Sequence, residues 1–249
     1  MTAMGEIRIG IGGWVFPPWR GTFYPTGLKQ AAELDYASRH VTSIEINGTF
    51  YGAQKPASFR RWHDDTPDDF VFSVKGPRFA THRRALAESG SSIERFFASG
   101  VLELGAKLGP ILWQFPATTK YEAENFAAFL DLLPQKLADR KLRHVLEVRH
   151  DSFADPGFAK LLRRHNVAVA LIDAENQTAF DEATADFAYL RLKRAAEDVP
   201  TGYPAKALDS WIALARKIAK TRACFIYVIN GAKIRAPAGA MALIERLAR

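Results

Sequence analysis

Lys75, Glu147 and Asp173 are the residues of this chain best placed to move a proton or attack an electrophile, because each stands at or beside the end of an apolar run. The runs cover residues 7–11, 43–46, 70–74, 111–115, 145–148, 167–172, 187–192 and 224–229. At or just past their ends lie Gly12 and Gly13, Glu45 with Asn47, Lys75, Gln114, Glu147 with Arg149, Asp173, Arg191 and Asn230. A lysine beside an apolar strand has a shiftable pKa and can serve as a base, a Schiff-base nucleophile or a plain anion clamp. A carboxylate among cations stays ionised and acts as a base or metal ligand, whereas one against apolar surface can donate a proton. Arg149 and Arg191 would bind an anion alongside Lys75. Glu45, Asn47, Gln114 and Asn230 would orient hydroxyls. The competing role for each charged residue is a structural ion pair that closes off the end of the fold.

Positioning such residues needs elements that all end on one side. Helical spacing of apolar residues predicts helices over 30–40, 57–64, 92–104, 123–133, 156–164, 208–219 and 237–247. A weaker pattern covers 175–183. Ser91 or Ser92 before Ile93, and Asp155 before Pro156, are candidate caps. Eight short strands alternating with helices predict a single-domain (β/α)8 TIM-barrel-like fold over residues 1–249, whose site lies at the C-terminal ends of the strands. The length, 249 residues, suits the ~250 typical of one such barrel. An open doubly wound sheet is the alternative. It loses support because Gly10-Ile-Gly12-Gly13-Trp14 leads into prolines and aromatics rather than into a dinucleotide-binding helix.

Side chains alternate with period two along a strand, so Ser73 goes with Lys75 and Glu147 with Arg149. Lys75, Glu147, Arg149 and Arg191 are therefore expected to converge on one pocket at the barrel mouth. Past Lys75, residues Arg78, His82, Arg83 and Arg84 extend a basic loop, which is either a ligand contact or a solvated surface. The aromatics Trp14, Phe16 and Trp19 follow the first run and Phe50 and Tyr51 follow the second. They offer a stacking wall, with Trp14 and Tyr51 the candidates for ligand contact, or a packed lid.

The net charge of +7 attracts phosphates, nucleic acid or anionic substrates. His82 and His150 are the histidines near run ends, and the abundance of cations argues against a divalent metal, which wants oxygen ligands and excess negative charge. No cofactor is predicted, and a divalent metal stays open as a variant. The one cysteine, Cys224, is expected to be a small core residue and fits a reducing, cytoplasmic compartment. Neither a run of ~18 apolar residues nor a basic segment followed by an apolar one is present, so neither a membrane span nor a secretory signal is expected.

Several longer motifs resemble a known family. Ile9-Gly-Ile-Gly-Gly-Trp14-Val-Phe-Pro-Pro-Trp-Arg-Gly-Thr-Phe-Tyr-Pro25 resembles the opening signature of the family called domain of unknown function 72, the YecE-like proteins. Glu45-Ile-Asn47-Gly-Thr-Phe-Tyr51, Phe70-Val-Phe-Ser-Val-Lys75, Pro77-Arg-Phe-Ala-Thr-His82, Gly109-Pro-Ile-Leu-Trp-Gln114-Phe-Pro116, Glu147-Val-Arg149-His150 and Tyr189-Leu-Arg191 continue it in order. The resemblance implies a TIM-barrel-like fold and carries no established activity. Where the family continues its seventh strand with a His-Gly pair, this chain has Lys193 and Arg194. Where the family follows its eighth strand with two asparagines and an aspartate, only Asn230 matches. If those positions serve a shared activity, the resemblance implies an altered or inactive site here.

The expected function is that of a cytoplasmic barrel enzyme using acid–base chemistry on a small anionic, phosphorylated or carboxylated substrate. Lys75, Arg149 and Arg191 would bind the anion, and Glu147 or Asp173 would transfer a proton. The alternatives are a nucleic-acid-binding protein without catalysis, a metal-dependent barrel similar to sugar isomerases or endonucleases, and a metabolite-binding barrel without turnover.

Overall fold

The computed structural model describes residues 5–174 and 182–249; the weak helical pattern at 175–183 falls mainly on 175–181, outside the described residues. The described strands are β1 (Ile7–Gly12), β2 (Ser43–Ile46), β3 (Val71–Lys75), β4 (Leu108–Gln114), β5 (Lys136–Leu137), β6 (Arg140–Lys141), β7 (His144–Glu147), β8 (Ala168–Asp173), β9 (Phe187–Leu192) and β10 (Ala223–Val228). Short β5 and β6 pair antiparallel as a separate hairpin. The other eight close a barrel in the order β1-β10-β9-β8-β7-β4-β3-β2. Every neighbouring pair in it is parallel. The expected fold is therefore the one adopted. Closure depends on a tight approach at Gly10, where a Cβ would lie 1.9 Å from the Ser43 carbonyl oxygen.

The helices are α1 (Glu33–Ser38), α2 (Gly48–Tyr51), α3 (Pro56–Asp64), α4 (Arg78–Thr81), α5 (Gly90–Ala98), α6 (Ala123–Asp131), α7 (Pro156–Arg164), α8 (Ala205–Ala219) and α9 (Ala236–Ala248). The expected helix over 92–104 is two pieces. Helix α5 ends at Ala98, two residues before Gly100, which takes φ +97 and packs so closely that a Cβ would sit 2.7 Å from Pro56 Cα, and a 3-10 segment (Val101–Lys107) follows. Its expected cap also moves: α5 starts at Gly90, ahead of Ser91 and Ser92. Asp155 does cap α7, accepting a 2.6 Å hydrogen bond from the Gly157 amide.

Two hydrophobic layers result. The outer one packs helices on the barrel, with Trp113 fully buried near Phe96, Phe129 and His144. The inner one fills the barrel with Leu112, Val145, Ala168, Ala170, Ile172, Phe187, Tyr189, Phe225, Tyr227 and Ile229. No described helix is long and apolar enough to cross a membrane. Cys224 is buried as expected, and burial pushes its thiol up to about 12.

His144 gives the fold a pH dependence. Trp113 Nε1 donates to His144 Nδ1 at 3.1 Å, and His144 Nε2 lies 2.8 Å from the Pro134 carbonyl, so the ring is held neutral with its proton on Nε2. Burial lowers its pKa from 6.5 to about 4. Between those values the unfolded chain binds a proton that the folded chain refuses, so stability falls as pH falls through this window. His144→Gln is expected to flatten the decline in melting temperature over that range; equal slopes for variant and parent would exclude His144 as its source.

Candidate active site

The site is built on a layer of buried polar side chains inside the barrel. Tyr189 donates to Glu45 Oε2 at 2.7 Å, and its hydroxyl also meets Ser73 Oγ at 2.7 Å. The Tyr227 hydroxyl meets Ser43 Oγ at the same distance. Period-two alternation carries each strand one step higher, to Glu45, Lys75, Gln114, Glu147 and Arg191. Arg191 forks onto Glu45, with Nε 3.0 Å from Oε2 and Nη2 2.8 Å from Oε1. Its Nη1 also donates to Glu147 Oε2 and, at 3.3 Å, to Gln114 Oε1. Glu147 Oε1 accepts from Lys193 Nζ at 2.7 Å and from Arg149 Nη2 at 2.6 Å.

Burial alone would raise the pKa of Glu147. The Arg191, Lys193 and Arg149 cations outweigh that and hold it well below the ordinary carboxylate range. Burial likewise disfavours the Arg191 cation, and Glu147 and Glu45 outweigh it. Lys193 is lowered by burial to about 8 although Glu147 pulls it up. Lys75 differs from all of these. It is 5% exposed, and no acceptor among the described residues bonds its Nζ. Its ammonium lies 4.1 Å from the centroid of the Phe50 ring. Burial and then the Arg191 charge lower its pKa to about 8, against the pull of Glu45 and Glu147.

Above this layer opens a cavity of about 580 Å³ at the C-terminal mouth. Of the expected residues, Trp14, Asn47, Tyr51, Lys75, Gln114, Arg149, Arg191 and Asn230 line it, and Glu45 and Glu147 are bonded to the cations beneath. Of the four residues expected to converge, Lys75, Arg149 and Arg191 line this one cavity, and Glu147 does not line it but is bonded to Arg149 and Arg191. The two roles weighed for the charges divide between residues: Arg191 with both glutamates is a buried ion-pair network, while Lys75 faces the cavity unpaired. The aromatics divide too. Trp14, in edge contact with Trp62, and the 68% exposed Tyr51 form wall, whereas Trp19 and Phe50 are packed away.

Three expected residues stand elsewhere. Asp173 is one step out of phase: its strand neighbour in register with Arg191 is Ile172, which fills the barrel. The Asp173 carboxylate instead takes Arg194 Nε at 2.6 Å and the Tyr203 hydroxyl at 2.8 Å, away from the cavity. Arg78 and His82 are exposed, at either end of α4, and do not line the cavity. Arg78 lies against Phe79, and the His82 ring packs edge-on to Phe50. Arg83, of the same basic loop, spends its guanidinium on the Phe79 carbonyl and Ser92 Oγ.

Lys193, Lys233, Gln54 and Trp62 also line the cavity. Lys193 was legible as the residue two beyond Arg191 on the same strand face; Gln54 comes from the α2–α3 connection, Trp62 from α3 and Lys233 from a 3-10 segment after β10, with no strand phase to announce them. The cavity therefore sets five cations, Lys75, Arg149, Arg191, Lys193 and Lys233, against the carboxylates of Glu45 and Glu147. Among the described residues no three His, Cys, Asp or Glu side chains gather as metal ligands, and both mouth glutamates are already saturated by cations. The donor set does not fit a divalent metal.

Solved structures share this architecture. A DUF72 family protein from Thermotoga maritima superposes with a TM-score of 0.80 at 21% identity, over 98% of this chain and 100% of its own. One from Enterococcus faecalis gives 0.76 at 16% identity over 98% of each chain. A xylose isomerase-like TIM barrel/4-hydroxyphenylpyruvate dioxygenase fusion protein gives 0.56 at 15%, over 98% of this chain and 43% of that one. At such identities the likeness is one of fold. In sequence, the UPF0759 protein YecE of Escherichia coli K12 is 31% identical over 152 residues, which is 61% of this chain and 51% of YecE. The UPF0759 protein YunF of Bacillus subtilis is 29% identical over 157 residues, 61% of this chain and 54% of YunF. The matched stretch thus spans about half the length of these curated relatives. The profile of the family described as "Protein of unknown function DUF72" matches residues 8–249, and this chain belongs to that family.

Proposed function

We propose that this barrel is an enzyme that binds a small anionic polar substrate, phosphorylated or carboxylated, at its C-terminal mouth and acts on it by acid–base chemistry, with Lys75 as the proton-transfer group. The observation that carries this reading is the Lys75 ammonium, buried in a cationic cavity with no hydrogen-bond acceptor among the described residues. Buried charges are normally paired, so a buried ammonium that faces a cavity without an acceptor among the described residues suits an anionic ligand. Arg149, Lys193 and Lys233 supply further donors on the same cavity. Glu147 is a poor base because three cations hold it ionised, and Asp173 faces elsewhere. A group with a pKa of about 8 remains close enough to neutrality to exchange a proton.

The test is a thermal-shift titration with inorganic phosphate, sugar phosphates and small carboxylates, since a ligand that binds only the folded state stabilises it by mass action. Melting temperature is expected to rise with anion concentration in the parent and in Asp173→Asn, altered outside the cavity. Stabilisation no greater than equal chloride provides would sink the reading.

A further inference from the structure

The barrel order sets β3 and β9 opposite each other, four strands apart in either direction around the ring. Lys75 at the end of β3 therefore faces Lys193, just past β9, across the mouth, and both line the same cavity. The two amines are not equivalent. Lys193 Nζ donates to Glu147 at 2.7 Å. Lys75 Nζ meets the Phe50 face at 4.1 Å and, among the described residues, no acceptor at all.

We infer that Lys75 is a carbonyl-capturing amine, forming an imine with the aldehyde or ketone carbon of a small substrate whose carboxylate or phosphate rests on Arg149 and Lys193. This deepens the proposed anion-binding reading and rests on it. The neutral amine adds its lone pair to the carbonyl carbon, and the carbonyl oxygen takes up a proton to give a carbinolamine. The oxygen then leaves as water with the hydrogens lost by nitrogen, so amine and carbonyl yield imine and water. Two features favour this at Lys75. Its ammonium is desolvated on an aromatic face beside the Arg191 cation, with a pKa of about 8, so a useful fraction is the nucleophilic free base. A substrate bearing an anion beside its carbonyl would find its charge met in the same cavity by Lys193, past the opposite strand β9, and by Arg149, past β7 two strands away. Glu45 and Glu147, which also act on Lys75, are engaged by Arg191 and do not bond it.

The experiment treats the full chain with glyoxylate and borohydride, which reduces an imine to a stable N-carboxymethyl-lysine read by peptide mass spectrometry. Exposed Lys160 is the internal reference. The expected result is that Lys75 is marked at least tenfold faster than Lys160, that inorganic phosphate suppresses the mark, and that neutral acetaldehyde shows a smaller preference. Lys75→Arg should remove the mark while Lys160 reacts as before. Marking of Lys75 no faster than Lys160 overturns the inference. Fast marking that ignores phosphate and does not favour glyoxylate overturns the substrate class. Phosphate stabilisation without Lys75 marking leaves the anion-binding reading standing and ends this one, whereas failure of phosphate to stabilise the protein ends the reading beneath it.

Discussion

Arg191→Met is expected to destabilise the protein by about 3–5 kcal/mol, because it leaves buried carboxylates without their principal partner. The Arg191 side chain is 3% exposed, and Glu45 and Glu147 are fully buried. Glu147 keeps Arg149 and Lys193, but among the described residues Glu45 keeps only the Tyr189 hydroxyl as a hydrogen-bond donor to its carboxylate. Arg191→Lys should recover only part of the loss, since a single ammonium cannot reproduce the fork that reaches Glu45 and Glu147 together. Chemical denaturation reads both variants. A loss for Arg191→Met below about 1 kcal/mol, the range of an exposed pair, would mean that the network is not a structural tie.

Lys75→Met should behave in the opposite way. It is expected to abolish stabilisation by phosphate and small carboxylates while leaving the unliganded protein as stable as the parent, or more so. Met keeps the length and apolar stem of the side chain and removes a charge that burial and Arg191 disfavour. The folded-state pKa is lowered from 10.5 to about 8, so within that window the unfolded chain binds a proton that the folded chain releases. Parent stability should therefore rise with pH between about 8 and 10.5, the penalty being complete below the lower value and absent above the upper. Lys75→Met should lack this part of the rise. At neutral pH the relief amounts to about 1–2 kcal/mol once the lost contact with Phe50 is set against it. Denaturation curves across pH for parent and variant check the sign. A variant less stable than its parent at pH 7 would mean that Lys75 is a structural cation after all.

The barrel was legible because strand and helix patterns alternate, and the mouth because each strand must end there. Which residues face the cavity was harder. The last polar residue of a run need not share the phase of the barrel interior, and Asp173 shows the failure: Ile172 takes the inward step, so the carboxylate one residue on turns toward Arg194 and Tyr203. The same phase rule, applied past the run that ends at Leu192, selects Lys193. Arg78 and His82 looked like neighbours of Lys75 in sequence, but the single turn of α4 carries them off the cavity. Lys233 reaches the site through a 3-10 segment after β10, a placement set by tertiary packing and marked by no periodicity. At Gly100, local apolar spacing suggested one helix, and contact with Pro56 made it two.

The Arg191 fork also has a kinetic consequence. Its carboxylate partners lie 146 and 44 residues away in sequence, on β2 and β7, so the tie to β2 closes only when the last strands complete the ring. Contacts that wait for such long-range closure form late and are weak in the folding transition state. The energy of this tie should then lie almost wholly on the unfolding side. In stopped-flow measurements Arg191→Met would leave the refolding rate near that of the parent and shorten the lifetime of the folded barrel, and a slowed refolding arm instead would place the fork in the nucleus. A polar fork at the mouth thus acts as a latch on a finished barrel rather than as a guide to its assembly.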